Sequence, residues 1–153
     1  MRPLTWAFVI ALIVGLAGCG IPKDPEGTLD RVERTGALRA AASPAEGRVA
    51  IDGEQVTGVE PTYVEGFAES LGARVDWHVM GEEGAVDALE RGEVDVLVGG
   101  LTADNPHGAK LSLTRPYATT VEHGETVEHV MAVRMGENAM LSELERYLDE
   151  EAP

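Results

Sequence analysis

The clearest fold signal in the chain is the segment GEVDVLVGGLT, from Gly92 to Thr102. Its centre, Val94 to Val98, is apolar except for Asp95, which is typical of a central parallel strand that helices cover on both faces. The glycine pair after Val98 predicts a turn at the end of that strand. Ligands of open parallel sheets bind outside the carboxyl ends of the strands, so this turn is the first candidate for a binding site.

Strands and helices alternate around this segment, as hydrophobic periodicity indicates. The predicted elements are a helix at 29–34, a strand at 37–42, a hairpin at 52–53, a helix at 61–71, a strand at 75–79, a helix at 82–91, the strand at 94–98, strands at 111–113 and 117–121, a hairpin turn at 124–126, a strand at 130–133 and a helix from Asn138. This order predicts an α/β domain with a mainly parallel sheet flanked by helices. Its predicted core contains Leu38, Phe67, Leu71, Val75, Val86, Leu89, Val96, Val98, Leu141 and Leu144.

The composition restricts the partners of the protein. The chain has 153 residues, about one domain, and 27 acidic against 12 basic residues, for a net charge of −15. Such a surface repels nucleic acids and anionic lipid headgroups, so neither is expected to bind. Cys19 is the only cysteine, which excludes an internal disulfide and a cysteine-rich zinc site. No metal and no cofactor are expected.

The N-terminus has the pattern of a secretion signal. Arg2 precedes an apolar run, Trp6 to Leu16, which is short for a membrane span. The tetrapeptide from Leu16 to Cys19 resembles the bacterial lipoprotein signal, in which the cysteine is acylated and the chain is cut before it. This predicts a signal peptide at 1–18, a tether at 19–27 and a domain at 28–150. The alternative is an uncleaved anchor with an incidental cysteine.

That resemblance places the protein in the periplasm, held to a membrane by its lipid. Gly20, rather than an aspartate, follows the cysteine, which favours sorting to the outer membrane.

Four segments in order, 72–77, 88–96, 100–102 and 115–117, resemble the family 3 extracellular solute-binding proteins, which are periplasmic receptors of polar amino-acid ABC transporters. Leu38-Arg39, residues 58–60 and the tail at 131–141 extend the resemblance. It implies one lobe of a type II periplasmic-binding-protein-like fold. The family's second lobe is absent, because the chain runs from Tyr117 through a small hairpin to Val130.

The resemblance also implies where a ligand would bind. We expect contacts from Gly100, Thr102 and His107, with Tyr117 near the mouth of the site. The glycines would allow close backbone approach to a ligand, although paired glycines can also merely turn the chain. His107 stands where the family has a carboxylate-binding arginine, and it is mostly neutral near pH 7. The family's aromatic stacking residues are missing from 45–50 and from Glu82.

Other chemistry has weaker support in the sequence. His123 and His129 occur in the near-repeat Val-Glu-His, and a hairpin could bring them together as metal ligands. The spacing matches no zinc pattern, so a solvated polar hairpin is the favoured interpretation. No nucleophile has a neighbouring base, and Gly-x-Ser-x-Gly is absent, so an enzyme is the weakest hypothesis.

Two hypotheses of function therefore stand. The first is a binding lipoprotein that presents a small solute, amino-acid-like or a small anion, to a membrane transporter or sensor. The alternative is an interaction module that has lost its ligand and docks a partner protein or a second copy as a homodimer.

Replacing Cys19 by alanine should leave the chain uncleaved and without lipid, because the thiol is the acyl acceptor. Intact-mass analysis of membrane-extracted protein should show a native chain that begins at Cys19 and carries acyl mass, and a variant that retains Met1. A native chain that retains Met1 and an unmodified Cys19 would contradict the lipoprotein prediction.

Overall fold

The protein is described by a computed structural model that covers residues 24 to 152. The predicted signal peptide, Cys19 and the first part of the tether lie outside the described residues. The helices and strands within this range are α1 (Thr28–Thr35), β1 (Ala37–Ala42), β2 (Ala50–Asp52), β3 (Gln55–Thr57), α2 (Val59–Ser70), β4 (Arg74–Val79), α3 (Glu82–Glu90), β5 (Val96–Val98), β6 (Leu111–Leu113), β7 (Ala118–Glu122), β8 (Glu125–His129), β9 (Ala132–Arg134) and α4 (Asn138–Glu151). No described helix is both long and apolar enough to cross a bilayer.

A five-stranded sheet with the order β4-β1-β5-β9-β6 forms the centre of the domain. Strand β1 is parallel to β4 and to β5, whereas β9 is antiparallel to β5 and to β6. The parallel half has the alternating strand–helix order that the sequence predicts, and the α/β fold class is confirmed. Two small antiparallel ribbons, β2-β3 and β7-β8, stand apart from this sheet.

The two faces of the sheet carry separate apolar clusters, because side chains alternate along each strand. Ala40, Ala42, Val96 and Val98 face one cluster, with apolar residues of α1, α2 and α4. The neighbouring Leu97 faces the other, with α3. Helices therefore cover both faces of the sheet, as its nearly continuous apolar central strands require.

The segment before α1 is part of the domain. Asp24 Oδ2 accepts the backbone N–H of Leu29 at 2.8 Å, and its Oδ1 accepts the N–H of Ala139 at 2.7 Å and of Met140 at 3.0 Å. One carboxylate thus caps the first turns of α1 and α4. Asp24, which the sequence analysis assigns to the tether at 19–27, therefore contacts two helices of the domain, and the predicted boundary at residue 28 stays a prediction.

Most of the predicted core is buried, with three exceptions. Leu71, Val75 and Leu141 are only half-buried and lie at the edge of the cluster around Phe67. Met140, beside Leu141 in the last helix, is fully buried.

The hairpin between β7 and β8 turns earlier than the sequence predicted. Glu122 pairs with Glu125, so the turn is His123-Gly124 rather than residues 124–126. Both turn residues have positive φ, 52° at His123 and 86° at Gly124, as the favoured two-residue hairpin turn requires. The prediction failed because residues other than glycine rarely have positive φ, although histidine is among those that adopt it more often.

Phe67→Ala should lower the free energy of unfolding by about 3–5 kcal/mol, because the ring is fully buried in α2 and packs against Tyr147. Urea denaturation measures this, with Val121→Ala as the control, since the Val121 side chain is 74% exposed. The control should change stability by less than about 0.5 kcal/mol. An equally small effect at Phe67 would show that the ring is not in the core.

Candidate functional site

The carboxylate of Glu60 lies at the carboxyl end of β5. Glu60 is in the first turn of α2 and is fully buried. Its Oε2 accepts the backbone N–H groups of Gly99 at 2.9 Å and Gly100 at 3.0 Å, and its Oε1 accepts the hydroxyl of Tyr117 at 2.6 Å. Three donors therefore satisfy a buried charge, and these three donors are not available to a ligand.

The glycines at this site allow parts of the chain to approach one another. A Cβ on Gly99 would lie 2.7 Å from Ser43 Cβ, and one on Gly100, where φ is +68°, would lie 2.9 Å from Ala45 Cβ. At Gly58, just before α2, a Cβ would lie 2.2 Å from the carbonyl oxygen of Arg48. The close neighbours of this turn are the loop after β1 and Glu60, and a ligand contact at Gly100 stays a prediction.

Tyr117 is part of the buried layer of the site. The residue is only 6% exposed, and its ring meets Tyr63 edge-on with 5.7 Å between centroids. Burial, and next the negative charge of Glu60, raise the pKa of Tyr117 far above its usual range. The phenol therefore stays protonated and donates to Glu60, which makes it a support of the site rather than a residue at its open mouth.

Thr102 and His107 lie on the more exposed loop after β5. The Thr102 hydroxyl is 2.6 Å from Asp104 Oδ1, and the backbone N–H of His107 donates to Asn105 Oδ1 at 2.8 Å. Asn105 also donates to Glu82 in the first turn of α3 at 2.9 Å. This loop is therefore fixed to α3, and both predicted residues are half-buried and can still be reached.

Arg48 is the residue of this site that the sequence analysis missed. It is half-buried beside Gly100, where a Cβ on the glycine would lie 3.9 Å from Arg48 Cγ. Its positive charge lowers the pKa of His129. Its charge and a hydrogen bond to the Tyr117 hydroxyl also oppose the rise in the pKa of Tyr117. Among the residues that the structure describes, no carboxylate forms an ion pair with Arg48. A single basic residue in a loop gives no periodic signal, so only the fold reveals its position.

His129 is the last residue of β8 and lies at the end of the hairpin opposite to its turn. It is 4% exposed, and its Nε2 lies 2.7 Å from Thr120 Oγ1 and 3.4 Å from Glu122 Oε1. Burial, and next the charge of Arg48, lower the pKa of His129, so the ring favours its neutral form.

The two Val-Glu-His histidines are not brought together. His129 pairs with Ala118, whereas His123 is in the turn at the other end of the ribbon. Between residues 24 and 152 no group of three or more His, Cys, Asp or Glu side chains is placed to hold a metal ion.

Glu60→Gln should lower the free energy of unfolding by about 1–3 kcal/mol, because hydrogen bonds to a charged acceptor become neutral ones. Glu65→Gln is the matched control, since it lies exposed on the same helix and should cost less than about 0.5 kcal/mol. Urea denaturation of both variants measures the two changes in the free energy of unfolding. Equal costs would mean that the Glu60 charge does not hold this end of the sheet.

Solved structures with the same fold include proteins that bind amino acids. Domain 1 of TmArgBP in its arginine-bound form superposes with a TM-score of 0.71 at 20% identity, over 79% of this chain and 98% of that one. The ancestral amino-acid-binding protein AncCDT-1, a precursor of cyclohexadienyl dehydratase, gives 0.71 at 15% identity, over 80% and 92%. EhuB in complex with hydroxyectoine gives 0.69 at 13% identity, over 82% and 86%. At these identities the similarity establishes the fold.

A curated relative is much longer. The membrane-bound lytic murein transglycosylase F of Photobacterium profundum is 29% identical over 97 residues, which are 62% of this chain and 19% of that protein. The chain thus matches about a fifth of the transglycosylase.

The family comparison covers most of the residues that the structure describes. Residues 37–151 match the model of the bacterial extracellular solute-binding proteins, family 3. This range begins at β1 and ends in the last helix, and it includes Glu60, Gly100 and Tyr117. The chain therefore belongs to the bacterial extracellular solute-binding proteins, family 3.

Proposed function

We propose that this protein is a lipid-anchored, extracytoplasmic solute-binding protein that presents a small amino-acid-like solute or a small anion to a membrane transporter or sensor. Family membership supports a solute-binding role outside the cytoplasm. Domain 1 of TmArgBP, solved in an arginine-bound form, supports ligand binding by one lobe of this fold. The sole cysteine, at the end of a lipoprotein-like signal, supports the anchor.

The observation that carries the proposal is Arg48. A half-buried guanidinium without a carboxylate partner among the described residues is suited to bind a carboxylate in a two-point hydrogen-bonded pair. It stands at the carboxyl end of the parallel strands, where open α/β sheets bind their ligands. In this proposal Arg48 supplies the positive charge that the family places five residues after the threonine, where this chain has His107.

The remaining contacts come from the loop after β5. Thr102 can offer its hydroxyl and His107 its ring, whereas Gly100 and Tyr117 shape the floor through Glu60. One lobe leaves a face of the ligand exposed, so the monomer should bind weakly. We infer no catalysis by this domain, because its buried acid Glu60 is already hydrogen-bonded to three donors.

A second candidate is an interaction module. The ribbon β7-β8 takes the place in sequence where the family inserts its second lobe, and it carries Val121 with 74% of the residue exposed. A partner protein or a second copy could cover that strand and the open side of the site.

The test is a thermal-shift screen of amino acids and small organic acids with the full chain, followed by calorimetric titration of any ligand found. A ligand that binds the folded state raises the melting temperature. Arg48→Gln should weaken a carboxylate ligand at least about tenfold, because a charge-assisted pair is lost. Arg74→Gln, an exposed residue at the start of β4, is the charge-matched control and should bind as the native chain does.

Two results would contradict the proposal. An affinity unchanged in Arg48→Gln and in the double variant Thr102→Ala with His107→Ala would place the ligand elsewhere. A stable dimer that binds nothing in the screen would favour the interaction module.

A further inference from the structure

A cavity lies at the end of the sheet opposite to the candidate site, on the amino side of the parallel strands. Its volume is about 300 Å³. Arg39 of β1, the turn before β5 and Arg134 at the end of β9 form its walls, and Glu26 and Thr28 close it on one side. This is the end opposite to Arg48, and the proposed function makes no use of it.

Arginine dominates the lining of this cavity. Four of the twelve basic residues of a protein with a net charge of −15 meet here, and only two acidic residues line the cavity with them. The four are Arg31, Arg39, Arg91 and Arg134, and the two acids are Glu26 and Asp95. The lining therefore carries two positive charges more than negative ones, although the surface as a whole is acidic.

One buried carboxylate is shared by two of these arginines. The Asp95 side chain is 2% exposed, and its Oδ1 is 2.6 Å from Arg39 Nη2 and 2.5 Å from Arg31 Nη2. Arg39 also donates through Nε to Asp95 Oδ2 at 3.2 Å. A single negative charge thus fixes two guanidinium groups and neutralises only one of them. Apart from this ion pair, the buried Arg31 Nη2 has no hydrogen-bond partner within the described part of the chain.

The other two arginines form ion pairs with exposed carboxylates. Arg134 donates through Nε to the carbonyl oxygen of Glu90 at 3.1 Å, and its Nη1 is 3.7 Å from the exposed carboxylate of Glu26. Arg91 donates two hydrogen bonds to the exposed Glu93, from Nε at 2.7 Å and from Nη2 at 3.1 Å, and Glu93 lies outside the cavity lining. Because water screens exposed ion pairs, a multiply charged anion in the cavity can compete with Glu93 and Glu26 for these two side chains.

We propose that this cavity binds a small phosphate-type oxyanion. A phosphate carries a charge of about −1.5 to −2 at neutral pH and several acceptor oxygens, which match the charge excess and the several converging donors. Guanidinium groups bind phosphate oxygens through paired, charge-assisted hydrogen bonds. The acidic remainder of the surface repels an anionic membrane, so the ligand is a soluble anion that fits within the cavity.

The experiment is calorimetric titration of the full chain with inorganic phosphate at constant ionic strength. The native chain should show saturable binding. The double variant Arg91→Gln with Arg134→Gln should bind at least about tenfold more weakly, because it loses two donors and leaves the Asp95 pairs intact. Arg34→Gln is the charge-matched control: it lies exposed on the same helix as Arg31, does not line the cavity, and should bind phosphate as the native chain does.

Each alternative result would overturn the proposal. These are the absence of saturable phosphate binding by the native chain, equal affinity in the double variant, and an equal loss in Arg34→Gln. An affinity for acetate as high as that for phosphate would overturn the assignment of a phosphate-type ligand. Because Arg48 is unchanged in all these variants, failure here leaves the proposed solute site unaffected.

Discussion

A carboxylate buried without exposure to water must be matched by donors, and Glu60 meets this requirement in a way that organises one end of the molecule. Its donors come from the turn after β5 and from Tyr117, which precedes the β7-β8 ribbon. Helix α2, which carries Glu60, is therefore fixed to the turn after the central strand β5 and to the segment just before β7. Gly58 permits this arrangement, because a side chain there would collide with the carbonyl of Arg48.

This constraint also determines what the site can offer a ligand. In an open parallel sheet the backbone donors after a central strand are the usual ligand contacts, but here the N–H groups of Gly99 and Gly100 are bonded within the protein. In the proposed function, recognition therefore depends on the side chains around Glu60, and Arg48 brings the positive charge. Because one lobe can cover only one side of a bound solute, such a site would be open to solvent on the other side.

The sequence was sufficient for the fold because its signals are periodic and local. The apolar run from Val94 to Val98 predicted a covered central strand and Phe67 was predicted in the core, and all of these residues are buried. The interactions that fix the site are neither periodic nor local: Glu60 looks like an ordinary acid in a first helical turn, yet its partners are 39 to 57 positions away. Asp24 and its capped amides in α4 are 115 and 116 positions apart. Only the folded chain brings such groups together.

Asp95 shows how one polar residue in an apolar strand can indicate more than a break in the pattern. A carboxylate at the start of a buried strand needs cationic partners, and the structure provides two arginines for its one charge. One positive charge of Arg31 and Arg39 is therefore left without a negative partner at the cavity wall, which Arg91 and Arg134 also line. In the proposal above, an anion completes the pairing of Arg31 and Arg39 and competes with the exposed carboxylates that pair with Arg91 and Arg134.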